Sequence, residues 1–228
     1  MEMRDGADGS DRRPRRQRSA RKLDQRIETC YEDQSLAVHK LVVGPLLNNV
    51  HVLRCKRTSE AALIDAANEH DLLLDACEAL GVRIVLQTHG HWDHVQAVPA
   101  MRDAGMDVCV SAEDSAMLDA YDHLLQDNQE IAVGRLTVQV LCTPGHTPGS
   151  LCFAPAGAPV LFSGDTLFPG GPGNTKLPGG DFQAIITSIR ERIFDRFSDE
   201  VTVLPGHGAA TTVGAERPHL DEWIERGW

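Results

Sequence analysis

Apolar residues fall along this chain in short unbroken runs and in one longer stretch of helical spacing, with Gly and Pro at the breaks. The runs Leu36–Val43 and 47–55 are apolar and β-branched and part at Gly44-Pro45, which predicts two strands. A third short run covers 62–65. Over 69–80 the apolar positions Leu72, Leu73, Ala76, Cys77 and Leu80 recur at helical spacing, and Gly81 closes the helix as a C-cap. A buried strand then spans 83–87 around Ile84-Val85-Leu86. Over 98–104 the pattern predicts a short helix, with Pro99 tolerated in its first turn and Gly105 ending it. Strands are expected at 107–111, 136–141, 150–153, 160–162 and 201–204, an amphipathic helix at 181–197 and a terminal helix at 218–224. Two strand-rich halves, each followed by helices, imply sheets packed together with helices outside, an α/β layered architecture.

Composition narrows the class of protein. The 228 residues are 42% hydrophobic and 24% charged, enough for one domain with a real core. No apolar run reaches membrane-spanning length, so no membrane partner is expected. A formal charge of -11 argues against nucleic acid as the main partner. The charge is unevenly spread, with nine Lys or Arg against five Asp or Glu up to Arg26. That stretch lacks aromatic and β-branched residues, which predicts a disordered basic tail over 1–26 and a folded domain over 27–228. No apolar segment follows Arg12-Arg13-Pro14-Arg15-Arg16, so export is not expected. Six cysteines without a CxxC pair or framework spacing read as reduced thiols in a cytoplasmic protein. Oligomeric state leaves no trace in the sequence.

The chemistry concentrates in Thr88-His89-Gly90-His91-Trp92-Asp93-His94, directly after the Ile84-Val85-Leu86 strand. Three imidazoles and a carboxylate beside a core strand each need a partner, and a divalent metal satisfies all of them together. In an extended loop His89 and His91 point the same way, and a turn at Trp92 swings Asp93 and His94 toward a second metal. Three more residues stand at strand ends: His146 in a Pro/Gly turn, Asp165 after Val160-Leu161-Phe162, and His207 after Val201-Thr202-Val203. Ligands delivered from several strand ends onto one rim are what a rigid metal site requires. His39, His51, His70, His123 and His219 fall outside this pattern.

HxHxDH at 89–94, Pro144-Gly145-His146-Thr147, Gly164-Asp165-Thr166-Leu167-Phe168 and Pro205-Gly206-His207-Gly208, in that order, resemble the metallo-β-lactamase superfamily and most of all its glyoxalase II branch. The likeness runs from about Leu36 to Gly208 and implies a four-layer αββα sandwich with the site at one edge of the two sheets. Carried over motif by motif, it implies that His89, His91 and His146 hold one metal and that Asp93, His94 and His207 hold the other. Asp165 would bridge the two. Two divalent ions are therefore implied, zinc foremost, with iron or manganese as alternatives.

Departures from the pattern define the branch. The β-lactamases proper have Cys or Ser at the position of Asp165, and the flavodiiron oxygen reductases have Glu at that of His91. Glyoxalase II adds, after its last motif, a helical domain bearing much of its glutathione site, whereas 21 residues follow His207 here. The loop Pro169-Gly170-Gly171-Pro172-Gly173-Asn174-Thr175-Lys176 stands where that branch usually has Gly-Gly-Cys-Gly-Arg. No helix starts at Lys176, which excludes a phosphate-binding P-loop. The loop instead reads as an active-site rim, with Asn174 and Lys176 as substrate-binding candidates.

The resemblance implies a hydrolase in which a metal-bridging hydroxide attacks a carbonyl, Asp93 orienting the nucleophile or taking its proton. The expected substrate is a thioester of a small thiol. The alternatives are a mononuclear iron persulfide dioxygenase using only His89, His146 and Asp165, a lactonase, or a metal-binding regulator without turnover.

Overall fold

In the computed structural model, the residues described are Leu23 and 25–227. The first sheet holds β1 (Glu28–Glu32), β2 (Leu36–Val43), β3 (Asn48–Cys55), β4 (Ala61–Ile64), β5 (Val82–Leu86), β6 (Asp107–Ser111) and β7 (His123–Leu125), in that spatial order. The strands are antiparallel from β1 to β4 and parallel from β4 to β7. The chain then supplies β8 (Glu130–Val133), β9 (Leu136–Cys142), β10 (Leu151–Pro155), β11 (Val160–Gly164), the small hairpin β12 (Leu167–Phe168) and β13 (Gly171–Pro172), then β14 (Thr202–Pro205) and β15 (Thr211–Thr212). The second sheet runs β15-β14-β11-β10-β9-β8, with β11 and β14 parallel.

Helices close both outer faces. They are α1 (His70–Leu80), α2 (Trp92–Val95), α3 (Val98–Asp103), α4 (Phe182–Ser188), α5 (Val213–Glu216) and α6 (Leu220–Arg226). Both faces of the central strands are buried, so they read as continuous apolar runs rather than as alternation. The two-residue period nevertheless sorts their side chains. On β3, β4 and β6, Val50, Val52, Leu63, Val108 and Val110 pack outward against Leu73, Ala76 and Met101 of α1 and α3. Leu53, Ala62, Ile64 and Cys109 of the same strands point inward, against Val138, Val140, Phe153 and Phe162 of the second sheet. Leu141, Cys152, Leu161 and Val203 face away from that layer, onto Ile185, Ile189, Leu220 and Trp223. Three apolar layers separate four structural ones, so the fold is the αββα sandwich that the motifs implied.

Some boundaries differ from the pattern. The helix expected over 181–197 is α-helical only over Phe182–Ser188 and then widens into a π-helical turn, Ile189–Phe194. The wider turn lets the adjacent Ile193 and Phe194 both enter the core beside Ile189, which a 3.6-residue turn serves less well. The basic tail expected over 1–26 lies outside the described residues except at its end. There Leu23 is buried against the first sheet, and Arg26 donates to the Val42 carbonyl and pairs with Glu69. The packed chain therefore starts before Ile27. Among the described residues no helix is long and apolar enough to cross a membrane.

Candidate metal centre

The C-terminal ends of β5, β11 and β14 open at the same edge of the sandwich, and each feeds the site. His89 and His91 follow β5, Asp165 follows β11, His207 follows β14, and His146 comes from the β9–β10 turn. The two sheets are stitched there by backbone bonds: Leu151 N donates to Thr88 O at 2.7 Å and Asn49 N to Gly206 O at 2.7 Å. Trp92 begins the single-turn helix α2 rather than a mere turn, and this helix carries Asp93 and His94. All seven residues expected from the sequence meet at this edge. His89, His91 and His146 form one group whose ligand atoms lie within 4.8 Å of one another, and Asp93, His94 and His207 form another.

Asp165 stands between the groups. Its Oδ2 is 3.6 Å from His146 Nε2 and 3.7 Å from His207 Nε2, and its Oδ1 is 3.6 Å from His94 Nε2. Gly206 makes this approach possible, because a Cβ there would stand 2.3 Å from Asp165 Oδ1 and 2.8 Å from His94 Cε1.

The surrounding hydrogen bonds fix which ring nitrogen of each imidazole carries its proton. His146 Nδ1 is 2.8 Å from Asn174 O and His207 Nδ1 is 3.0 Å from Leu46 O, and a carbonyl can only accept. His94 Nδ1 faces Asp65 Oδ2 at 2.8 Å. Thr88 Oγ1 donates to that same carboxylate at 2.8 Å and so accepts from His89 Nδ1 at 3.0 Å. In the neutral rings Nε2 of His89, His94, His146 and His207 thereby carries the lone pair and faces inward, the arrangement by which partners beyond the ligands prepare imidazoles for a metal. On His94 a metal would take the place of a second proton. The Nε2 atoms of His94 and His207 lie only 3.1 Å apart, and two lone pairs at that distance repel unless positive charge stands between them. His89 Nε2 and Asp165 Oδ1 are buried without a hydrogen-bond partner. Such orphaned atoms are costly in a protein interior, and a divalent cation satisfies them. The donor set fits the ions expected.

Electrostatics divides the site in the same way. Burial, reinforced by the neighbouring His94 and His146, holds His89 well below its ordinary value, and burial with His146 lowers His91. Both rings stay neutral and able to coordinate. Burial opposes charge on His94, but Asp165, Asp65 and Asp93 outweigh it and push the ring up to about 9. His207 is likewise raised by Asp93 and Asp165 against burial. For Asp93 burial works the other way, yet His207, His94 and the Asn48 amide hold its carboxyl far below the usual range. The Asp93 side of the site therefore draws positive charge.

Four residues support the site without being candidate ligands, Thr88 at the head of the His-rich segment and three others outside the sequence motifs. Asn48 Nδ2 donates to Asp93 Oδ2 at 2.9 Å. Asp65 is buried with a left-handed backbone, φ 64, and holds His94 together with the Thr88 backbone and hydroxyl. Thr88 orients His89. Asp114, fully buried, accepts from Gly90 N, Thr147 Oγ1 and Gly149 N, joining the two loops that carry His91 and His146. The signal for these was faint: Asp65 ends an apolar strand run, and Asp114 follows one at an ordinary turn distance. Asn174 and Lys176 are both exposed. The Asn174 side chain accepts from Lys176 N at 2.9 Å and so shapes the loop, while its carbonyl holds His146.

A four-layer αββα sandwich with a His/Asp site of two triads at one sheet edge defines a metallohydrolase-type fold. The family model described as the metallo-beta-lactamase superfamily matches residues 43–207, and the chain belongs to that superfamily. It is 34% identical over 179 residues to the hydroxyacylglutathione hydrolase GloC of Haemophilus influenzae, a match covering 69% of this chain and 84% of that one. Among solved structures it is similar to the BLEG-1 B3 metallo-beta-lactamase, with a TM-score of 0.74, 31% identity and coverage of 80% and 97%. ETHE1 from Myxococcus xanthus aligns with a TM-score of 0.71 at 28% identity, covering 80% of this chain and 82% of that one.

Proposed function

We propose that this protein is a two-metal hydrolase that cleaves thioesters of a small thiol, with His89, His91 and His146 holding one ion, Asp93, His94 and His207 the other, and Asp165 shared. The observation that carries this reading is the Asp165 carboxylate, 3.6 to 3.7 Å from imidazoles of both triads. When bound, two divalent ions would polarise the substrate carbonyl and lower the pKa of a water at the site. Asp93 stays ionised because His207, His94 and Asn48 stabilise its charge, so its carboxylate would act as a ligand and hydrogen-bond acceptor that orients the attacking water rather than as a strong base. A thiolate departs with little protonation, so the site needs no separate acid. The thiol portion lies along the rim loop 168–176, where Lys176 offers an exposed ammonium. The relative named hydroxyacylglutathione hydrolase supports a thioester as substrate. Six unpaired cysteines fit a reducing compartment, and the cytoplasm is the proposed location.

The competing reading, a single iron on His89, His146 and Asp165, leaves His91 idle, yet its Nδ1 stands 2.9 Å from His146 Nε2. It also leaves the second triad without a task. A lactone, by contrast, would suit the same site as an ester substrate. Elemental analysis of protein purified without chelator should give close to two ions per chain, and a panel of thioesters should release thiol. Oxygen uptake with glutathione persulfide by an iron-loaded sample, without thioester cleavage, would overturn the hydrolase reading.

A further inference from the structure

Large apolar side chains are well exposed at eight described positions, and five of these adjoin residues of the proposed site or its supporting loops, along the chain or by contact. Leu46 and Leu47 form the β2–β3 turn, where the Leu46 carbonyl accepts from His207. Trp92, 60% exposed, stands between His91 and Asp93. Met117 lies against Gly90, so close that a Cβ on that glycine would stand 2.7 Å from it. Leu177 follows the loop whose Asn174 holds His146. Scattered exposed leucines need no explanation, but apolar groups bordering one site do. Leu47 adds a second signal: it is 64% exposed and its φ is 56, a left-handed conformation that Gly or Asn adopts more readily than a branched apolar residue. The turn thus holds an apolar side chain in water next along the chain from Leu46, whose carbonyl holds His207.

The border has depth on the Trp92 side. A cleft of about 250 Å³ is lined there by Trp92, Val95, Val98, Pro99, Met117 and Leu118, with Gln96 and Asp119 as its two polar residues. A cavity of roughly 150 Å³ suffices for a benzene ring. The rim loop 168–176 occupies the His146 side, which leaves the Trp92–Met117 side for the other half of a substrate.

We propose that this apolar mouth binds the acyl half of the substrate and selects thioesters with a bulky apolar acyl group, medium-chain alkyl or aryl, over small hydroxyacyl ones. This rests on the hydrolase reading above. The reaction is plain hydrolysis: water adds to the acyl carbon, the C–S bond breaks, and a carboxylate, a thiol and one proton are released. Six of the eight residues lining the cleft are apolar, with Gln96 and Asp119 the polar ones, so each methylene that enters against the apolar wall gains binding by leaving water.

The test is a series of glutathione thioesters, lactoyl, acetyl, butanoyl, hexanoyl, octanoyl and benzoyl, run on the metal-loaded protein. The expected kcat/KM rises about two- to fourfold per methylene until the cleft is filled, with benzoyl above acetyl. Leu47→Ser and Met117→Ser should shrink the octanoyl-to-acetyl ratio several-fold. Cleavage that is flat or falls with chain length overturns the inference and leaves the hydrolase reading standing. Cleavage of none of them overturns the hydrolase reading, and octanoate binding then decides the mouth separately. Octanoate should quench the fluorescence of the wild type but not of Trp92→Phe, and equal signals from both overturn the inference. A dimer in sedimentation that Leu47→Ser disperses, with the chain-length ratio unchanged, would assign the mouth to a second copy and also overturn it.

Discussion

Asp114 shows how much of this site depends on side chains that never reach its centre. Its carboxylate is fully buried, and the hydrogen bonds it accepts come from Gly90 N at 2.8 Å, Thr147 Oγ1 at 2.7 Å and Gly149 N at 2.8 Å. Gly90 separates His89 from His91, and Thr147 follows His146, so one carboxylate sets the spacing of two loops that share a proposed metal. Asp114→Asn keeps the shape but turns one acceptor into a donor facing a donor, a buried mismatch. The expected result is about tenfold weaker metal binding by His89, His91 and His146, with the Asp93 side little changed. Cobalt(II) titration followed by its absorption spectrum separates the two sites. A lower melting temperature with both sites still filling at wild-type affinity would show that Asp114 serves folding alone.

At the scale of elements, the strands were legible because burial on both faces leaves an unbroken apolar run, and the clustered His/Asp motifs were legible because they sit where those runs stop. Asp107–Ser111 matches its expected bounds, and β2, β3 and β5 fall within a residue of theirs. Elements on the margins were missed. Glu28–Glu32 and His123–Leu125 are edge strands whose side chains are mostly exposed or half-buried, so they carry little apolar signal. The two-residue strands β12, β13 and β15 are too short for any period to register. Asp65, Asp114 and Asn48 escaped notice for another reason: a polar residue's partner lies far away in sequence, 29 residues on for Asp65 and His94. Gly81 was legible by chemistry, and it ends α1 with φ 80 and its N–H on the Cys77 carbonyl. A Cβ there would also stand 2.3 Å from Ser59 O. Gly81→Ala should therefore cost about 1–3 kcal/mol, read as a lower urea midpoint at unchanged slope. Metal stoichiometry should not move, since Gly81 lies at the opposite end of β5 from the proposed ligands.

The whole molecule is two sheets sharing one apolar interior, and His51 is buried between them. It comes from β3, is buried, and meets Phe162 of β11 across the layer at 5.4 Å between ring centroids. Its Nε2 has no hydrogen-bond partner. Burial, with a small contribution from Lys40, lowers its pKa from the ordinary 6.5 to about 3. The sign of the consequence follows from proton counting. Between pH 6.5 and 3 the unfolded chain binds a proton at this position and the folded chain does not, so acid favours unfolding. Full stability from this group is present above pH 6.5 and declines as the pH falls toward 3. At pH 5 the loss is on the order of 1–2 kcal/mol. Carboxylates with lowered values, such as Asp33 at about 2, act in a lower window, below 3.8. Metal release also destabilises in acid, but it affects the wild type and a His51→Phe variant alike, so their difference isolates the imidazole. Phenylalanine keeps a ring beside Phe162 and removes the titrating nitrogen. Urea melts at pH 7 and pH 5 should show His51→Phe losing less stability than the wild type over that interval. Parallel losses in the two proteins would mean that His51 is already protonated, or reached by water, between the sheets.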